Sequence, residues 1–270
     1  MIITNFSVWS LVYARKETNL LHVYFLDVGQ GDSIFIDSPA HGRVLIDGGP
    51  NRKVLSELGK ILPFGDKDID VVIETHPDAD HITGLVEVIK RFNVGVFIEP
   101  GVESPNSVDD LLSLEVDQKK IPTLLARRGM TLDLGHGSEL IILFPNQDVT
   151  SFETNDASIV AKLVYGSKSF LLTGDSSKSS EYKIMSLGEG GLDSDVLKAG
   201  HHGSDGSTSI LFAQTVSPEY AVISAGKNNR YGHPKQSVLD ILHKVGAKIV
   251  STIDLGTIEF ETDGETLTLK

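Results

Sequence analysis

Thr75-His76-Pro77-Asp78-Ala79-Asp80-His81 is the stretch on which the reading of this chain turns. It follows a short apolar strand at 70–74 and opens a helix whose apolar residues Ile82, Leu85, Val86 and Ile89 share one face. Four potential ligands, His76, Asp78, Asp80 and His81, therefore lie in one turn at the end of a sheet, stiffened by Pro77. Imidazole nitrogens and carboxylate oxygens are the donors a divalent cation takes. An aspartate here could instead simply cap the helix. With 9 His in 270 residues, chance assembly of the whole pattern is roughly two in a thousand. A cap also has no use for two flanking histidines, so the segment is read as a metal site.

Upstream, 21–27, 33–37 and 43–47 read as strands separated by Gly29, Gly31 and Gly42. Asn51 caps a helix with Val54, Leu55, Leu58, Ile61 and Leu62 on one stripe. Downstream, 94–98 is a strand, a helix is expected around 108–117, and the stretch to 134 reads as a strand with its turn. The second half has strands at 139–144, 158–165 and 169–173, a helix near 181–187, a strand at 195–198, a helix near 209–215 and a strand at 220–224. Pro234 suits the first turn of a helix through Val238, Leu239, Leu242 and Val245. Strands at 247–251, 257–261 and 266–269 finish the chain. Two β-rich halves, each flanked by helices, predict an α+β protein built as a four-layer α/β/β/α sandwich rather than a doubly wound sheet. One domain over 21–270 is expected, with 1–20 as an N-terminal extension.

Other segments join the first in a resemblance. Asp27-Val28-Gly29-Gln30-Gly31-Asp32-Ser33, Leu45-Ile46-Asp47-Gly48-Gly49, Leu172-Thr173-Gly174-Asp175, Lys198-Ala199-Gly200-His201-His202-Gly203-Ser204 and Tyr231-Gly232-His233-Pro234 occur in that order. With the 75–81 segment they resemble the motifs of the metallo-β-lactamase superfamily, whose usual signature is His-x-His-x-Asp-His. Asp78 stands where the second His is commoner, a variant similar to the nuclease-like domain of ComEC-type DNA-uptake proteins. The match runs from about residue 21 to 235.

The resemblance implies that His76 and Asp78 sit on one metal, that Asp80 and His81 sit on another, and that Asp175 bridges them. His201 or His202 completes the second metal. Gly200-His201 matches the pattern best and leaves His202 facing substrate, and the reverse assignment stays open. The superfamily's middle His has no counterpart; Asn155 stands in its place, a weaker and neutral ligand near the substrate. Two divalent cations are implied, zinc or manganese, with oxygen-rich ligation leaning towards manganese. Such a pair acidifies a shared water to hydroxide, which Asp80 would orient. His233 is a candidate to stabilise the charged oxygen or protonate the leaving group. His202, Ser204 and Ser207, with the amides of 203–206, are candidates for binding a phosphate. Asp47 either supports a ligating imidazole from outside the metal shell or is only a turn residue before Gly48-Gly49.

Metal-dependent phosphodiester hydrolysis is the leading expectation, with DNA or a smaller phosphodiester as substrate. The alternatives are a small-molecule phosphoester or lactone hydrolase, and a non-catalytic metal-binding interaction module. The net charge of −13 argues against broad electrostatic capture of nucleic acid, although bound cations reverse the field at a carboxylate-rich site. The chain has no cysteine, which restricts metal ligands to nitrogen and oxygen and fits a reducing cytoplasm, with the periplasm or secretion left open. No stretch reaches the roughly 18–20 apolar residues that span a bilayer, so no stable membrane insertion is expected and a transport role is not carried over. Residues 2–14 are moderately apolar but follow no basic residue, and read as an extension rather than a signal peptide. The sequence leaves the oligomeric state unknown.

Overall fold

Successive side chains of a strand point to opposite faces of its sheet, and here each face has its own core. In β3 (Arg43–Ile46), Val44 and Ile46 enter one apolar cluster and Leu45 enters another. In β4 (Asp68–Ile73), Val71 and Ile73 join the first and Val72 the second. Near-continuous apolar runs such as these are what strands covered on both sides require.

The computed structural model describes residues 19–188 and 191–270; the reading of 1–20 as an extension falls, up to residue 18, outside the described residues. The first sheet has eight strands. Its order is β15 (Leu267–Leu269), β14 (Ile258–Thr262), β1 (Leu21–Phe25), β2 (Ile34–Asp37), β3, β4, β5 (Asn93–Glu99) and β6 (Thr123–Leu125). The second has seven, ordered β13 (Lys248–Ser251), β12 (Tyr220–Ile223), β11 (Val196–Lys198), β10 (Lys168–Leu172), β9 (Val160–Tyr165), β8 (Ser138–Phe144) and β7 (Thr131–Gly135). Strands β3 to β6 run parallel, as do β10 to β13, and the others are antiparallel.

Phe25, Phe170 and Phe260 meet edge-on between the two sheets. Helices α1 (Lys53–Ile61), α2 (Ala79–Arg91) and α3 (Ser107–Lys119) cover the outer face of the first sheet through Leu58, Leu85, Ile89 and Leu112. Helices α4 (Lys178–Ser186), α5 (Ile210–Val216) and α6 (Gln236–Lys244) cover the second through Ile184, Phe212 and Leu242. A short α7 (Thr252–Leu255) follows β13. The expected α/β/β/α sandwich is therefore found. Among the described residues no helix is long and apolar enough to cross a membrane.

Details differ from the sequence reading for local reasons. Arg52, not Asn51, holds the α1 cap position, and Asn51 Oδ1 accepts from the Lys53 amide at 2.8 Å. Pro234 lies ahead of α6, whose cap is Lys235. The stretch after α3 gives two short strands in different sheets, β6 and β7. The closing strands β14 and β15 leave the second half and return to β1, with Leu21 opposite Thr262.

Candidate metal centre

Parallel strands leave their C-terminal ends at one edge, and the loops there gather side chains from separate strands. Asp47 follows β3, His76 follows β4, Asp175 follows β10, and His201 and His202 follow β11. Helix α2 places His81 against this edge. Its backbone lies directly on the 47–49 loop: the Gly48 amide donates to His81 O at 2.7 Å and the Gly84 amide to Gly49 O at 2.9 Å. A Cβ on Gly84 would fall 1.9 Å from Gly48 O, so only glycine permits this approach.

The hydrogen bonds fix which nitrogen each imidazole turns to the site. Thr75 Oγ1 donates its one hydrogen to Asp47 Oδ2 at 2.7 Å, so its contact with His76 Nδ1 at 3.0 Å is one it accepts. His81 Nδ1 donates to Asp47 Oδ2 at 2.8 Å, and His202 Nδ1 to Ser224 O at 3.0 Å. All three rings thus point Nε2 inward. His76, His81 and His202 are at most 1% exposed, and their Nε2 atoms have no hydrogen-bond partner among the described residues. Asp175 Oδ1 has none either.

Asp175 stands between the rings. Its Oδ1 is 3.4 Å from His81 Nε2, and its Oδ2 is 3.4 Å from His202 Nε2 and 3.6 Å from His201 Nε2. Asp80 Oδ2 lies 3.3 Å from His202 Nε2, and Asp78 Oδ2 lies 3.7 Å from His76 Nε2. Buried polar atoms without partners are costly unless something binds them, and an N/O set of this kind fits divalent cations. Those atoms are where a metal would be held.

The electrostatics agree. Burial alone would strip His81 of its proton, but the Asp175 and Asp47 carboxylates push its pKa well above the usual imidazole range. Burial also opposes the charge of His202, which Asp175 and Asp32 nonetheless raise to about 9. His76 is lowered to about 4 by burial and by the charge of His81. Burial works against Asp80 too, yet the adjacent His202 ring, 3.3 Å away, and the charges of His81 and His202 hold it at about 2. A divalent cation at the Nε2 positions would take the place of the protons on His81 and His202.

The expected residues do not all converge. His76, Asp78, Asp80, His81, Asp175, His201, His202 and His233 do. A cavity of about 210 Å³ is lined by Gln30, Asp78, Asp80, Asp175, His201, His202, Tyr231 and His233. Of the histidine pair, His202 is the buried one, and His201 is a third exposed with its Nδ1 3.4 Å from Asn155 Nδ2. The Nε2 atoms of both lie near Asp175 Oδ2, and His202 is the ring enclosed by the protein. Both adopt left-handed backbone, with φ of 48° and 55°, which turns their side chains apart from the register of a regular strand end. Ser204 and Ser207 depart from expectation. Ser207 is fully buried and donates to Ser176 O at 2.8 Å, and Ser204 Oγ accepts from the Gly206 amide at 3.2 Å. Both hydroxyls hold the loop together rather than face the cavity.

Asp32 and Lys198 lie at the same edge, beyond the residues that the sequence motifs name as ligands. Asp32, His81, Asp175 and His202 can bring one ligand atom each within 4.8 Å of one another. Asp32 is, however, ion-paired to the fully buried Lys198, whose Nζ also donates to Gly174 O at 3.2 Å and lies 3.8 Å from Asp175 Oδ1. A lysine inside the apolar run Val196-Leu197-Lys198 was the available signal, because a buried lysine requires a partner.

Comparison with known proteins adds relatives to this geometry. The profile described as the metallo-beta-lactamase superfamily matches residues 26–227. ComE operon protein 3 of Bacillus subtilis is 34% identical over 255 residues, which cover 88% of this chain and 32% of that protein. Competence protein ComA of Neisseria gonorrhoeae is 30% identical over 238 residues, 87% of this chain and 31% of its own. Recombination protein 2 of Haemophilus influenzae is 30% identical over 254 residues, 92% and 30%. The chain spans about a third of the length of these relatives. Among solved structures, a metallo hydrolase from Ignicoccus hospitalis aligns with a TM-score of 0.57 at 16% identity, covering 89% of this chain and 99% of that one. The metallo-beta-lactamase fold protein YhfI of Bacillus subtilis aligns at 0.54 and 15%, covering 85% and 95%. These two likenesses show the fold.

Proposed function

The chain belongs to the metallo-beta-lactamase superfamily of metal-dependent hydrolases, and from that premise we propose that it cleaves phosphodiesters, with DNA as the leading substrate. The observation that carries the reading is the convergence of the unpartnered His76, His81 and His202 Nε2 atoms and Asp175 Oδ1. DNA is favoured by the motif resemblance to the nuclease-like domain of ComEC-type proteins and by the relatives named Competence protein ComA and Recombination protein 2. His76 and Asp78 would hold one divalent cation and Asp80, His81 and His202 the other, with Asp175 shared. Zinc and manganese both suit the donors. When bound, the cations supply Lewis acidity that lowers the pKa of water and polarises the phosphoryl oxygen.

The chain's own groups do the rest. Asp80, ionised at about 2, orients the attacking water as a hydrogen-bond acceptor. His233 faces the cavity, and burial with the nearby His201 and His202 lowers its pKa. A neutral imidazole at neutral pH suits it to donating a hydrogen bond to the developing charge. Asn155, beside His201, orients that ring and the substrate near it. The small cavity, about 210 Å³, favours one alternative, a small phosphoester or lactone.

The test uses linear DNA, bis(p-nitrophenyl) phosphate and a lactone panel, each with added manganese or zinc. Diester hydrolysis is expected, falling at least about a hundredfold in Asp80→Ala while circular dichroism shows an intact fold. Unchanged turnover in that variant removes the role of Asp80, and lactone hydrolysis without diester hydrolysis removes the substrate.

A further inference from the structure

A cavity of about 210 Å³ is smaller than the roughly 300–1,000 Å³ of ligand-sized clefts, so a nucleotide must extend beyond it. Gln30 and Tyr231 line it, and they also line a groove of about 420 Å³ that runs past Arg230 to Thr83 on α2. The groove sets Arg230 opposite one carboxylate, Asp80, and the loop that carries Arg230 is basic. The chain carries −13, yet residues 226–235 hold Lys227, Arg230 and Lys235 and no acidic residue. Lys235 Nζ is tied to Tyr231 O at 2.7 Å. Arg230 is exposed, with its guanidinium carbon 4.7 Å from the centre of the Tyr231 ring.

Tyr231 is 45% exposed and lies 10° from parallel to His233 at 5.7 Å. Gln30 Oε1 accepts from the Gly226 amide at 3.1 Å, while its buried Nε2 has no partner among the described residues. A guanidinium and an amide donor suit phosphate oxygens, and an exposed ring suits a base or sugar face. We infer that the 226–235 loop and this groove form a flanking-nucleotide subsite, in which Arg230 and Gln30 take the phosphate next to the scissile one and Tyr231 packs on its nucleoside. The inference rests on the phosphodiesterase reading above and adds to it a preference for polynucleotide over small diesters.

The test measures kcat/KM for a short single-stranded oligonucleotide and for bis(p-nitrophenyl) phosphate in wild type, Arg230→Ala and Tyr231→Ala, with salt varied. In Arg230→Ala the ratio of oligonucleotide to small-diester kcat/KM is expected to fall about tenfold, through KM, and the salt slope for the oligonucleotide to shrink by about one phosphate contact. In Tyr231→Ala the ratio should fall while the slope holds. An unchanged ratio and slope, or parallel loss on both substrates, overturns the subsite. Wild-type protein that cleaves neither diester removes the reading beneath it instead.

Discussion

Asp47 has a φ of 58° and commits both carboxylate oxygens internally, Oδ1 to the Thr75 amide and Oδ2 to Thr75 Oγ1 and His81 Nδ1. It is a turn residue and a support for an imidazole at once; the two readings of the sequence describe one side chain. Asp47→Asn keeps a residue that tolerates left-handed backbone but loses the charge behind His81. Metal affinity is expected to weaken about 10- to 100-fold, read by calorimetric titration with manganese; affinity unchanged would mean that His81 needs no such support. The 75–81 segment was legible because its ligands are adjacent in sequence. Asp32 and Lys198 were harder to read, since their pairing joins the loop ahead of β2 to β11 in the other sheet. The two histidines were ambiguous because adjacent left-handed residues bring both rings to Asp175.

Elements carry the site as well as residues do. Helix α2 delivers His81 only because Gly84 lies on Gly48, with no room for a methyl group between them. Alanine in a helix ordinarily stabilises by up to about 1 kcal/mol over glycine. Here Gly84→Ala forces backbone apart, and a loss of about 2–3 kcal/mol is expected, measured as a lower urea midpoint at constant m. A raised midpoint would show that α2 and the 47–49 loop move freely. Helix positions were readable from their apolar spacing: α2 buries all four residues that spacing named, while α6 buries Val238 and Leu242, leaves Leu239 half-buried and ends before Val245. The return of β14 to β1 was not readable, because strand pairing across most of the chain leaves no local pattern.

At the scale of the molecule, two sheets bring the ends of their parallel strands to one edge, and each contributes candidate ligands the other lacks. The first supplies His76, Asp78, Asp80 and His81, and the second Asp175, His201 and His202. This division explains why neither half would hold the centre alone, and why the layered fold could be inferred while the fine geometry of its edge could not. It also concentrates carboxylates, whose combined charge calls for cations. The most direct measurement is diester turnover and metal content on the same sample, before and after dialysis against a chelator. About two divalent ions per chain are expected, with turnover lost on their removal and restored by manganese or zinc. Undiminished turnover in protein shown to hold no divalent ion would contradict the account.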